Sequence, residues 1–237
     1  MKKTIVVATV AALAAAGVAA QAGPKVKDAS ARCVVTNAQT LAANEYARVY
    51  GVDAGYRGNA FLTKIYACRY STGRKVYLGT TRVQDDENVS GTPVRYIRDL
   101  SLSDESSDPP GVAYVDTNCT RSPCTLTVVV RSLGSGAVVR RLKAGSPFDQ
   151  VELSQPTDQD GFALAWLESS AGGSCDDGCR VHLVKNSGDR VLDEGADIDS
   201  DLFGELHDDR PGIIHSLGTN TFIWKRGATI KSASYND

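Results

Sequence analysis

The residues best spaced for chemistry are three alternating aspartates, Asp197, Asp199 and Asp201, in the run DIDSD. Alternating carboxylates can present oxygens to Ca²⁺ as the first, third and fifth positions of a calcium loop do. Such a loop also needs glycine at its sixth position and glutamate at its twelfth, where this chain has Leu202 and Asp208. The run therefore reads either as a calcium site or as a plain acidic loop.

Six cysteines form a second group: Cys33, Cys68, Cys119, Cys124, Cys175 and Cys179. Cys119 and Cys124 enclose four residues including Pro123, and Cys175 and Cys179 enclose three including Gly178, so each pair can close a local turn. Cys33 and Cys68 are left for each other. Three disulfides are the expectation, with a four-thiolate zinc site from the two short pairs as the alternative.

Nucleophilic and nucleotide chemistry finds little footing. The chain has no G-x-S-x-G, H-E-x-x-H or Walker A motif, and no G-x-G-x-x-G between a strand and a helix. His182 falls in an alternating segment, and His207 and His215 lie near the C-terminus. Gly134-Ser135-Gly136 reads as a hairpin turn. The pairs Asp176-Asp177 and Asp208-Asp209 read as solvated turns, since glycosidase chemistry needs two carboxyls at a set separation across a cleft. Asn88-Val89-Ser90 and Asn118-Cys119-Thr120 match the glycosylation sequon but follow a bacterial-looking start, so both are expected to be idle.

The elements that must carry these groups are short strands. Alternation is clear in Lys75-Val76-Tyr77-Leu78, Val94-Arg95-Tyr96-Ile97 and Arg180-Val181-His182-Leu183-Val184, with Gly, Asp, Asn, Ser and Pro between such runs. Residues 38–47 alone look helical and are read as loop or one helical turn. Apolar triplets centred on or ending at Tyr50, Tyr114, Trp166 and Trp224 recur at separations of 64, 52 and 58 residues, as a repeated supersecondary unit would. The first three are followed by a loop, a β-rich run, a Gly turn and a further strand, and the fourth unit ends early at 228–233. Units of four antiparallel strands are placed at 33–83, 94–143, 149–194 and 212–234, with opening strands at 33–36, 94–102, 150–154 and 212–217. A single four-stranded meander cannot bury both faces, and stacking units solves that. Tyr114, Trp166 and Trp224, at equivalent positions, are expected in the core.

The segments VVVRSLGSGAVVRRL, GFALAWLESS, RVLDEGADID and TFIWKRGATIKSAS resemble secreted β-propeller-like repeat proteins of the TolB-like or PQQ-like kind, exported bacterial ones in particular. The resemblance spans about residues 33–237. It implies an all-β fold of four-stranded antiparallel blades in a small, about four-bladed, or partial propeller, with a β-sandwich as the alternative.

Residues 1–22 read as a signal peptide: Lys2 and Lys3, an apolar stretch, then Ala20-Gln21-Ala22, with cleavage expected after Ala22. The apolar stretch, about 16 residues, is short of the roughly 20 a membrane span needs. A secreted chain without a membrane span in its mature part is expected, with residues 23–237 as one β-repeat domain. A net charge of −2 disfavours a broad nucleic-acid binder. That total conceals an asymmetry. Residues 23–148 carry 17 basic and 11 acidic side chains, and residues 149–237 carry 7 and 17, which leaves self-association or an anionic partner open. Together these features imply a secreted, non-catalytic binding module with a protein or glycan partner. The alternatives are a secreted enzyme acting on carbohydrate through its carboxylates and a calcium-dependent adhesion domain.

Overall fold

A computed structural model describes residues 31–84, 95–103, 110–119, 124–144, 151–153, 163–169, 178–185, 188–199, 214–216 and 221–234. The chain is all-β, and every strand pairing is antiparallel among the described residues. The first unit holds β1 (Ala38–Ala43), β2 (Ala47–Arg57), β3 (Ala60–Arg69) and β4 (Lys75–Gln84). The second holds β5 (Arg95–Leu102), β6 (Gly111–Asn118), β7 (Thr125–Ser132) and β8 (Val138–Ala144). These eight strands form one sheet in chain order, but its two halves meet through a single pair, Arg82 opposite Arg95. The halves are thus two four-stranded meanders. The third unit is a separate sheet in the order β12 (Gly188–Gly195), β11 (Cys179–Lys185), β10 (Leu164–Ser169), β9 (Val151–Leu153). In the fourth, β15 (Thr221–Arg226) pairs with β16 (Thr229–Ser234) and with the short β13 (Ile198–Asp199) and β14 (Ile214–Ser216). No strand pairing among the described residues closes these sheets into a barrel.

The cores explain why the strands are so apolar. Side chains alternate across a strand, so a strand buried on both faces reads as a continuous apolar run. In β6, Val112 and Tyr114 join Val49, Ile65 and Leu78 of the first unit, while Ala113 and Val115 join Trp166 and Val184 of the third. In β10, Ala165 and Leu167 turn the other way, onto Ile198 and Trp224. Three shared cores therefore link four units in series. Gly79 shows how closely the first two approach, since a Cβ there would lie 2.6 Å from Cδ1 of Ile97.

Three boundaries differ from the sequence expectation, the first being that the fourth sheet takes in β13 (Ile198–Asp199), ahead of the 212–234 placed for that unit. Residues 38–43 form β1, an edge strand paired to β2 from Ala38 opposite Val52 to Ala43 opposite Arg48. Ladder hydrogen bonds here outweigh the helical leaning of an alanine-rich run. Residues 33–36 do not open the unit as a strand. Ala31–Cys33 is a single 3₁₀ turn, and its Cys33 is bonded to Cys68. That turn lies over the first unit's outer face, where Cys33, Cys68, Tyr50 and Tyr70 form a small core of their own.

Candidate functional site

The four aromatics marked by the repeat occupy one structural position. Tyr50, Tyr114, Trp166 and Trp224 lie on β2, β6, β10 and β15, and all are buried. Three of them point into the core shared with the preceding unit. Their polar tips are treated differently. The Tyr114 hydroxyl donates to the Leu78 carbonyl of the first unit (3.3 Å) and accepts from Arg131 Nε (2.9 Å). Trp224 Nε1 donates to Asp193 Oδ2 of the third unit (2.8 Å). Trp166 Nε1 is buried without an acceptor among the described residues. Its indole instead stacks on the His182 imidazole, with centroids 4.0 Å apart.

Among the described residues, His182 is the centre of the most strongly perturbed titrating group. It stands opposite Trp166 in the β10–β11 ladder, with Nε2 3.0 Å from Glu168 Oε1 and Nδ1 3.1 Å from both Asp189 oxygens. Burial on its own would lower the imidazole pKa. Hydrogen bonds to Asp189 and Glu168, together with their charges, outweigh that and raise it from 6.5 to about 9. The protonated ring donates from both nitrogens, so the carboxylates fix its orientation. Only 5% of His182 is exposed and 6% of Glu168. The group has the composition of an acid–base triad, and both nitrogens of its buried imidazole are held on carboxylates.

Asp193 is spent in a similar way. Besides Trp224 it meets Lys231 Nζ at 3.0 Å and forms a charge-assisted bond with Arg226 Nη1. Burial opposes ionisation, but hydrogen bonds from Trp224 and Lys231 and the nearby cations hold this carboxyl below its ordinary range. Of the three aspartates read as a calcium run, Asp197 is half-exposed, and its two oxygens lie 3.1 and 3.3 Å from Arg226 Nε. A guanidinium at that distance competes with a cation for the same lone pairs. Asp199 lies in β13 with its side chain outside the described residues, as Asp201 is altogether. No group of three metal-ligating side chains occurs among the described residues.

The first unit differs because no other sheet packs on its outer face among the described residues. Tyr50 pairs with Tyr66, and Tyr66 with Tyr77, so three rings run across β2, β3 and β4. Their centroids are 5.7 Å apart in the first pair and 5.4 Å in the second. Arg48 covers Tyr50, its guanidinium carbon 4.6 Å from the ring centroid. Exposure rises along the row: Tyr50 is 1% exposed, Tyr66 half-buried and Tyr77 49% exposed. Pairing and alternation put Lys64 and Arg82 on the same face, across from Thr80 and Leu62, and put Lys75 opposite Cys68. Among the described strand positions of this face there is no carboxylate.

The remaining expected residues are placed as follows. Cys33 bonds Cys68, and Cys119 bonds Cys124. Cys179 is also disulfide-bonded, while Cys175, the partner expected for it, lies outside the described residues. Bonded sulfurs leave no thiolates for a zinc site at these positions. Gly136 has φ 76° in the turn where Ser132 Oγ accepts from the Gly134 and Ser135 amides, so this Gly-Ser-Gly is a hairpin turn. His215 lies in β14 with its side chain undescribed, and His207, Asp176, Asp177, Asp208, Asp209 and Asn88 lie outside the described residues. Sequence reasoning missed the tyrosine row. A signal for it existed, because Tyr66 and Tyr77 lie five residues to either side of Ser71-Thr72 in the hairpin turn. It also missed the Glu168–His182–Asp189 group, whose members are diagonal neighbours visible only once the register is known. No helix among the described residues is long and apolar enough to cross a membrane. No family model matches the chain, and no curated protein matches it.

Proposed function

We propose that the chain is a secreted, non-catalytic binding module, and that it engages its partner through the outer face of the first unit. The single observation that carries this is the Tyr66–Tyr77 row: adjoining tilted rings, half of Tyr77 exposed, cations around them and no second sheet over them among the described residues. Tyrosine serves such surfaces well because it offers an apolar ring and a polar tip at little conformational cost. Disulfides at Cys33–Cys68 and Cys119–Cys124 support an oxidising compartment, in keeping with the signal peptide read in residues 1–22.

The four units are read as blades of an open, propeller-like arc, of the TolB-like or PQQ-like kind that the repeats resemble. The serial cores support this, as does the disulfide-held turn at Cys33, which covers Tyr50 where a preceding unit would sit. Terminal units of such arrays need a cap of this sort. The experiment is an array of glycans and secreted-compartment proteins probed with the wild-type chain and with Tyr77→Ala. Signals that fall with the substitution support the reading. Signals indifferent to it overturn the assignment of the face.

A further inference from the structure

We infer that the ligand of this face is an anionic polysaccharide bearing carboxylates, with sugar rings laid on Tyr66 and Tyr77 and acid groups met by Lys64 and Lys75. The inference rests on the proposed binding role of the face and adds the chemistry of what it binds. The first argument is charge. The described strand positions of the face carry Arg48, Lys64, Lys75 and Arg82 and no acid, and Lys64 and Lys75 are exposed. Arg48 is already engaged over Tyr50 and Arg82 stands across from Leu62, beyond Lys64, so the lysines are the cations that flank the Tyr66–Tyr77 pair.

The second argument is their placement. Lys64 precedes Tyr66 by two positions on β3, and Lys75 stands across from Cys68, two positions beyond Tyr66. At about 3.3 Å per residue the two lysine positions bracket the rings about 13 Å apart along the strands. A polymer lying along the strands therefore meets cation, rings, cation in order. Saccharide rings present C–H faces that pack on tyrosine and hydroxyls that reach its tip, while carboxylates pair with the ammonium groups.

A single-stranded nucleic acid would also answer to rings and cations, but the observations favour sugar. Tyr66 and Tyr77 are tilted by 54° with centroids 5.4 Å apart, a continuous corrugated surface rather than separate platforms for successive bases.

The test uses the full chain, exported through a disulfide-forming compartment, with polygalacturonate, neutral dextran and oligo-dT as probes at 50 and 300 mM salt. The inference expects binding of polygalacturonate over dextran. It expects about a tenfold weaker Kd in Tyr77→Ala, recovery in Tyr77→Phe, and a shallower salt dependence in the Lys64→Ala/Lys75→Ala double variant. All three positions are solvent-facing, and unchanged melting temperatures establish that the variants fold. Dextran bound as well as polygalacturonate, with Tyr77→Ala still weakening it, overturns the anionic ligand and leaves the binding face standing. Oligo-dT bound more tightly than polygalacturonate overturns the inference in favour of nucleic acid. No binding of any probe overturns the inference, and if the array signals are also indifferent to Tyr77→Ala, the proposed function falls with it.

Discussion

The first and third units set the same cross-strand row to different uses. In the third, Trp166 stands opposite His182, and both are buried against the second unit, with Glu168 and Asp189 closing on the imidazole. In the first, Tyr50 stands opposite Tyr66, the N-terminal turn packs with Tyr50 and Tyr70, and the row continues outward through Tyr77 between lysines. A position that joins one unit to its predecessor becomes an available surface in the unit whose outer face meets no other sheet among the described residues. Composition follows position: carboxylates hold a buried cation in the third unit, and the described strand positions of the first unit's outer face carry cations and no carboxylate. Chemistry-like residues are therefore found where access is lost, and plain tyrosines where access is kept.

The comparison breaks most readily at its aromatic positions. Trp166→Ala removes a fully buried ring from the second–third core and should cost about 3–5 kcal/mol, while Tyr77→Ala, on the outward strand, should change stability by no more than about 0.5 kcal/mol. Denaturant midpoints of the two variants check this, and equal losses would erase the distinction between the rows. Next in size is the cap. Replacing Cys33 and Cys68 by serine should cost about 4 kcal/mol on the loop-entropy account. It should also raise the exposure of Tyr50, read by tyrosine fluorescence quenching, while leaving the Trp166 environment unchanged.

The third effect is set by pH. Because the folded pKa of His182 is raised to about 9 from 6.5, its contribution is complete below about pH 6.5 and is lost as pH rises through about 9. Wild-type stability should fall by roughly 3 kcal/mol across that window, and His182→Gln should be flat over it. A wild-type profile as flat as that of the variant would remove the charged imidazole from the account.

Much of this architecture was legible in the chain. The unit boundaries near 94–102, 150–154 and 212–217 correspond to β5, β9 and β14, and the recurring aromatics do mark one buried position, because apolar triplets, Gly turns and spacing are local signals. The errors fell where a distant partner decides the local structure. Residues 38–43 become strand only through β2, and Cys33 sits in a turn because Cys68 draws it over Tyr50. The His182 group was hidden for the same reason: Glu168 and Asp189 are 14 and 7 residues away and meet the ring only through register. Asp197 looked free in sequence and is paired with Arg226, 29 residues on.

The most direct test of the central claim is a tyrosine nitration footprint of the wild-type chain with and without polygalacturonate, read by peptide mass. The account predicts that Tyr77 and, more weakly, Tyr66 react in the free protein and are protected by the polymer, while Tyr50 and Tyr114 stay unmodified in both states. Polymer-induced protection confined to Tyr56 or Tyr96, with Tyr77 reacting as before, would contradict it.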